Sequence, residues 1–345
     1  MAVNNTLSSG FWKDRPVLVT GGTGLLGSWL VPELARRGAY VVVLVRDGAP
    51  RSLLVRDGWL DRIPSVHGSL TDEGLLRRTM AEYSIQTVFH LGAQTLVGVA
   101  KADPVGTLET NVRGTWLLLE AARQTGVKEV LIASSDKAYG ESADLPYRED
   151  HPLVGRFPYE ASKSCADLIA QMYARAYSLR VGIVRCGNLF GGGDLNFSRL
   201  IPGAVRATLR GENFRIRSDG KFIRDFLYVE DAVEAYLCLA QHLAADQALA
   251  GEAFNFGLGL RQTMLDLVDR ILETMGRPDL RPIVENIASN EIREQYMASD
   301  KAHARLGWSP SCGMAEGLRR TVAWYEGYLA EAPCTAPLAA DTVTK

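Results

Sequence analysis

The sequence predicts an α/β fold: a Rossmann-like, doubly wound parallel sheet with helices on both faces, joined to a smaller mixed α/β region. Three observations predict it. The chain opens with an apolar β-branched run, a glycine-rich turn, a helical stretch and a second apolar run. Apolar strand-length runs then alternate with helix-length segments as far as Cys186. After Asn188 the alternation breaks up at Gly191 to Gly193, Pro202 and Gly211. Alternation of strands and helices is the mark of a parallel sheet built from crossover units.

The elements follow in order. Val17 to Thr20 reads as the first strand, Leu25 to Arg37 as a helix closed by Gly38, and Tyr40 to Val45 as the second strand. Asp72 to Tyr83 is predicted helical, Thr87 to Leu91 a strand, Pro104 to Thr125 a helix with proline in its first turn, and Glu129 to Ser134 a strand. Tyr159 to Tyr177 reads as a helix and Val181 to Cys186 as a strand. These strand runs show no clean polar alternation, as expected when helices cover both faces. Residues 1–187 are therefore read as a dinucleotide-binding domain and 188–331 as a substrate-binding region. Within the latter, 225–257 (a strand, then a helix) is expected to pack back on the first domain. The tail from 332 to 345 is read as disordered.

A chain of 345 residues has room for two sub-domains closing on a cleft. The formal net charge of −2 and the lack of a long basic run argue against a nucleic-acid partner. The five cysteines, at 165, 186, 238, 312 and 334, are scattered without a CxxC pair. That argues against a disulfide framework or zinc site and predicts small, mostly buried apolar residues; no metal is expected. The polar start lacks a signal-peptide pattern, and no apolar run is long enough to span a bilayer. The expectation is a cytoplasmic protein with no membrane partner.

Thr20 to Gly27 (TGGTGLLG) places glycines at 21, 24 and 27 between a strand and a helix. Gly21 permits the tight turn, Gly24 lets the backbone approach a pyrophosphate, and Gly27 lets helix and strand pack closely. The helix N-terminus offers free N–H groups to the anion. The second strand ends in Arg46 and Asp47, one suited to an NADP 2′-phosphate or to stacking on adenine, the other to an NAD ribose hydroxyl. Both cofactors stay open, with a lean to NAD.

Tyr159 and Lys163 lie four apart and so share one helix face. A free tyrosine titrates near 10, too high for a base at neutral pH. A neighbouring lysine cation and a nicotinamide cation would both favour phenolate. Ser134 and Ser135 end the preceding strand.

With these residues the chain resembles the extended short-chain dehydrogenases/reductases, in the nucleotide-sugar epimerase and 4,6-dehydratase group, from about Phe11 to Leu329. The family's TGxxGxxG falls on Thr20, Gly21, Gly24 and Gly27, and its catalytic Ser, Tyr and Lys on Ser135, Tyr159 and Lys163. Its HLAA strand end resembles His90 to Ala93, and its helix asparagine falls on Asn111. Its substrate-loop asparagine matches Asn188, and its Arg-Asp pair matches Arg224 and Asp225. Ser135-Asp-Lys-Ala-Tyr139 is most similar to the CDP-glucose 4,6-dehydratase sub-group. The segment from Arg224 to Asp231 is more similar to epimerases and other dehydratases, and Val45-Arg46 to the NADP-using GDP-mannose group.

The resemblance implies catalytic roles for Ser135, Asp136, Lys137, Tyr159 and Lys163. It implies a cofactor site at Gly21, Thr23, Gly24, Leu25, Leu26, Gly27, Arg46, Asp47, Ser69, Leu70, Leu91, Gly92, Ala93 and Asn111, shared with Tyr159 and Lys163. For a nucleotide-diphosphate sugar it implies Gln94, Ser135, Asn188, Arg199, Leu200, Arg217, Arg224 and Arg293; a diphosphate suits bidentate arginines. In a dehydratase, oxidation at C4 acidifies the C5 proton. Lys137 would then handle that proton and Asp136 the C6 oxygen, or the reverse. A 4-epimerase would use the same Tyr159 step, and a non-catalytic dinucleotide sensor would need no base. The resemblance also implies a homodimer through the helices near Pro104–Thr125 and Tyr159–Tyr177.

Overall fold

The structure, a computed structural model, describes residues 10–287 and 292–331. The tail read as disordered, with Cys334, lies outside them. The strands are β1 (Pro16–Thr20), β2 (Tyr40–Val45), β3 (Ser65–His67), β4 (Thr87–His90), β5 (Glu129–Ala133), β6 (Arg180–Cys186), β7 (Asn188–Phe190), β8 (Arg215–Ile216), β9 (Ile223–Arg224), β10 (Phe226–Tyr228), β11 (Ala253–Phe256), β12 (Gln262–Thr263), β13 (Ile283–Val284) and β14 (Glu294–Gln295). The helices are α1 (Leu25–Arg36), α2 (Leu53–Arg56), α3 (Glu73–Glu82), α4 (Val97–Ala102), α5 (Pro104–Leu108), α6 (Gly114–Thr125), α7 (Pro158–Tyr177), α8 (Leu200–Leu209), α9 (Val229–Ala245), α10 (Met264–Thr274), α11 (Asp300–Leu306) and α12 (Met314–Glu331).

Seven strands form one parallel sheet in the order β11-β6-β5-β4-β1-β2-β3. Side chains alternate across it. Val17 and Val19 of β1 join the core beneath α1 and α9, and Leu18 joins the core beneath α3, α6 and α7. Burial on both faces is why the strands read as continuous apolar runs. The order reverses between β1 and β4, and a crevice opens there beyond the strand ends. The α/β doubly wound fold is thus the observed one.

Past β6 the strands are two or three residues long and pair in small sheets: β10 with β7, β12-β9-β14, and β13 with β8. Between them α9 and β11 return to the large sheet, β11 as its edge strand beside β6. The helix expected over Pro104–Thr125 is α5 and α6 joined by a π-helical turn, Glu109–Arg113, with α4 ahead of it. A π-turn carries one extra residue per turn and marks a place where backbone geometry is reshaped for a site. The cysteine expectation fails at Cys165, which is exposed on the outer side of α7, while Cys186 and Cys312 are buried. Among the described residues no helix is long and apolar enough to cross a membrane.

Candidate active site

The glycine turn sits at the C-terminal end of β1. Gly21 has φ 72°, and a side chain there would meet the backbone nitrogen of Gly92 at 2.6 Å. At Gly27 a Cβ would lie 2.3 Å from the Gly21 carbonyl oxygen, so only glycine lets α1 pack on the turn. Helix α1 begins after Gly24 with no side-chain cap, and its first N–H groups are left for an anion. Leu91 N–H donates to the Thr20 carbonyl at 3.1 Å, and the Leu70 side chain lies against Gly92 and Gly114. Ser69 and Thr71 bond each other's hydroxyls at 2.8 Å. Arg46 and Asp47 are exposed and paired with each other at 2.5 Å, so neither signal stands alone.

Behind the turn runs a chain of hydrogen bonds whose direction is fixed. Thr115 donates its hydroxyl proton to the Asn111 carbonyl at 2.6 Å, so it must accept from His90 Nε2 at 3.1 Å. His90 Nδ1 therefore accepts from Thr20 Oγ1 at 2.9 Å, and Thr20 in turn accepts from Gly92 N–H at 3.2 Å. Burial, then the nearby Lys163 charge, lowers the His90 pKa to about 3, so the ring is neutral. Asn111, in the π-turn, holds both main-chain groups of Gln94 and donates to Ser162 Oγ at 2.9 Å. Ser162 donates to the Tyr159 carbonyl at 2.7 Å. The network thus ties the nucleotide turn to the helix carrying Tyr159.

Tyr159 and Lys163 are buried on α7. The Lys163 ammonium donates to the Ala133 carbonyl at 2.9 Å and sits 6.0 Å from the Tyr159 ring centre. Burial lowers Lys163 to about 8, with Asp167 opposing. Burial, then the Asp136 charge, pushes Tyr159 up to about 12, against the Ser135 hydroxyl and Arg199. The first cause is desolvation, which outweighs the helpers at this buried hydroxyl.

Ser135 contacts Tyr159 and starts a 3-10 turn over Asp136–Tyr139. Its hydroxyl donates to Asp136 Oδ1 at 2.9 Å and accepts from Lys137 N–H at 3.2 Å. The Lys137 ammonium lies 3.6 Å from Asp136 Oδ1, and Asp136 Oδ2 is buried without a partner. Beneath this turn Arg185 of β6 forms a two-pronged pair with Asp167 of α7, at 2.9 and 3.0 Å, and donates to Tyr139 Oη at 2.8 Å. Ser134 also donates to Asp167, at 2.7 Å. Strand β6, helix α7 and the turn are locked as one unit.

On the substrate side, Arg199 precedes α8, pairs with Asp194 at 2.9 Å and is close enough to act on Tyr159. Asn188 donates to the Asp225 carbonyl at 3.2 Å. Arg224 and Arg293 come together: Arg224 Nη1 donates to the Arg293 carbonyl at 3.2 Å, and both cations lie beside the Phe222 ring. Arg293 pairs with Asp219 at 3.0 Å. Arg217 is exposed just after β8. Buried Asp225 accepts from the main chain of Phe226, Gly259 and Met297. Burial raises its pKa to about 7, with Asp136 adding to the rise.

A strand-turn-helix phosphate site, with a buried Tyr and Lys on one helix face, is the arrangement of a dinucleotide-dependent oxidoreductase site. Residues 17–257 match the model of the NAD dependent epimerase/dehydratase family. The chain belongs to that family. It is 32% identical over 337 residues to the CDP-glucose 4,6-dehydratase of Salmonella typhimurium, 94% of each chain being covered. The dTDP-glucose 4,6-dehydratase of Streptomyces venezuelae, solved with NAD, superposes with TM-score 0.80 at 31% identity, covering 92% of this chain and 98% of that one. The UDP-glucose 4-epimerase of Thermotoga maritima, solved with UDP-glucose, gives TM-score 0.83 at 28% identity, covering 91% and 100%. The family's description agrees with the lean to NAD.

The family match ends at 257, before Arg293. Sequence reading missed Arg185, Thr115 and Tyr147. Arg185 had a signal, a lone charge inside an apolar strand, with Asp167 four residues after Lys163 on the same helix face. Thr115 and Tyr147 gave no readable signal, because each also depends on a residue distant in sequence, His90 for Thr115 and Asn255 for Tyr147.

Proposed function

We propose that this chain is an NAD-dependent nucleotide-sugar 4,6-dehydratase. One observation carries the reading. Asp136 and Lys137, two ionisable groups, follow Ser135 directly and lie beside Tyr159 in a buried turn. Tyr159, oriented by Ser135, removes the proton of the sugar C4 hydroxyl. NAD, when bound, takes up and returns the hydride, and its oxidised ring carries the positive charge that would bring Tyr159 down from about 12. Lys137, as the amine, then takes the C5 proton, and Asp136, as the acid, gives its proton to the C6 hydroxyl, which leaves as water; the hydride is returned to C6 and a proton to C5. A pair of adjacent groups in unlike surroundings, one half-buried and one buried, can divide acid and base work.

The cofactor would lie over Gly21 to Gly27 and against Leu70, Gly92 and Asn111. The diphosphate would meet Arg224 and Arg293, with Arg199 nearer the sugar. The division at 187/188 is kept on this reading as the line between the two halves of the cleft. A second reading is a 4-epimerase; the segment from Arg224 to Asp231 resembles epimerases and other dehydratases alike. It would use the same Tyr159 step without loss of water.

We also infer a homodimer. Val105, Leu108 and Trp116, at helical spacing on α5 and α6, are exposed, and so are Leu168 and Met172 on the adjoining α7. Two neighbouring helices with apolar outer stripes suit self-association through a four-helix contact.

The test is mass analysis of the product after incubation with NAD and each of CDP-glucose, dTDP-glucose, UDP-glucose and GDP-mannose. A product lighter by one water supports the dehydratase. A product of unchanged mass and new retention time supports the epimerase instead.

A further inference from the structure

The groups assigned to the loss of water, Asp136 and Lys137, stand on a 3-10 turn of four residues, Asp136–Tyr139. Such short turns have poor hydrogen-bond geometry of their own. Inside this one, Ala138 N–H donates to the Ser135 carbonyl and Gly140 N–H to the Lys137 carbonyl, both at 3.1 Å. Where Asp136 and Lys137 stand therefore depends on what holds the turn from outside.

The far end of the turn is held by Tyr139. It is 1% exposed, and its ring stacks on Tyr147 with centres 4.7 Å apart. An arginine only donates. Tyr139 Oη therefore accepts from Arg185 Nη1 at 2.8 Å and spends its one proton on Asn255 Oδ1 of β11 at 2.7 Å. Burial, opposed by the Arg185 charge, raises its pKa, so it stays a neutral phenol.

The guanidinium that holds Tyr139 also grips α7. Arg185 Nε and Nη2 donate to the two oxygens of Asp167, which stands one turn after Lys163 on that helix. One buried cation thus joins the helix carrying Tyr159 and Lys163 to the turn carrying Asp136 and Lys137. On the proposed function these two sets of groups act on adjoining carbons of one hexose, first C4, then C5 and C6. A reacting group misplaced by about 1 Å can cost about 10²-fold in rate.

We infer that Tyr139 is a positioning residue for the loss of water: by tying the Asp136–Lys137 turn to Arg185, it sets where that pair stands relative to Tyr159. The inference rests on the proposed function. Oxidation at C4 uses Tyr159 and Lys163, which the Arg185–Asp167 pair still holds when the Tyr139 hydroxyl is gone. Elimination of water uses the turn, which then loses its tie.

Tyr139→Phe keeps the ring and its stack and removes only the hydroxyl. The test is a single turnover by the NAD-loaded variant on the nucleotide-sugar that the wild type dehydrates. Absorbance of the reduced cofactor follows oxidation at C4, and product mass follows the loss of water. Tyr139→Phe should slow the loss of water about tenfold to a hundredfold and leave oxidation at C4 within about twofold, so that reduced cofactor accumulates. Loss of folded protein would instead lower both steps in proportion. If Tyr139→Phe fails to fold, Arg185→Lys carries the same readout, since lysine keeps a cation beside Asp167 but lacks the fork to hold Tyr139 as well. Any result in which the loss of water is not slowed more than oxidation overturns this inference alone. If the wild type releases no water from any nucleotide-sugar, the proposed function falls and takes this inference with it.

Discussion

At the ends of β1 and β4 the polar groups of Thr20, His90, Thr115 and Asn111 satisfy one another in a single directed chain. Across the cleft, on β9, β12 and β14, two glutamines keep buried atoms without partners. The first region is finished before any ligand arrives. The second leaves buried amide atoms unanswered. The contrast is between a closed network beneath the proposed dinucleotide site and a small sheet whose buried polar atoms are not all paired.

The largest effect should come from the group that both regions serve. Tyr159→Phe removes the proposed base while Asn111, Ser162 and the glycine turn stay in place. We predict a loss of turnover of about 10³-fold or more, with NAD binding kept as measured by fluorescence titration. Activity within tenfold of wild type would mean that the network positions a bystander.

Next comes the clamp beneath the turn. Arg185→Met leaves the Asp167 carboxylate buried without its cation, which costs about 3–5 kcal/mol in such pairs. Urea unfolding should report a loss of that order, and adding Asp167→Leu should recover much of it. Strictly additive losses would show that the two side chains do not act as a pair.

The two regions should also respond oppositely to pH. His90 has a folded pKa of about 3, below its usual 6.5. Between these values only the unfolded chain binds the proton, so His90 makes stability fall as pH drops from about 6.5 toward 3. Asp225 has a folded pKa of about 7, above its usual 3.8. Between these values only the folded chain holds the proton, so Asp225 makes stability fall as pH rises from about 4 to 7. The two slopes oppose each other in the shared window, each at most about 1.4 kcal/mol per pH unit. Relative to wild type, His90→Asn should tilt stability downward with rising pH, and Asp225→Asn should tilt it upward. Parallel pH profiles for wild type and both variants would remove this distinction between the regions.

The smallest effect is on the outer surface. Leu168→Glu should shift a dimer toward monomer in light scattering and leave the unfolding midpoint of the monomer within about 0.5 kcal/mol. A wild-type monomer would show that the apolar stripe serves another purpose.

What could be read in the sequence follows the same division. Strands such as Pro16–Thr20 and Arg180–Cys186 are five to seven residues long and buried on both faces. Helices such as Pro158–Tyr177 carry a clear period. Their pattern is local, so the sheet, the glycine turn and the Tyr159–Lys163 face were legible. The π-turn was not, because its extra residue is set by the packing of Asn111 against Gln94 and Ser162. Strands of two residues have no period at all. Gln262 and Gln295 stand in the polar strings Arg261-Gln-Thr263 and Glu294-Gln-Tyr296, which read like any surface loop. Only the pairing with Arg224, fixed by tertiary contacts, sets them apart.

The central claim is that water leaves the sugar at Asp136 and Lys137. It is tested most directly by comparing wild type with Lys137→Met on a substrate deuterated at C4, reading product mass and label. The account predicts that wild type releases one water and moves the label off C4. Lys137→Met should still exchange hydride at C4 but yield no lighter product. Release of water by Lys137→Met at the wild-type rate would contradict it.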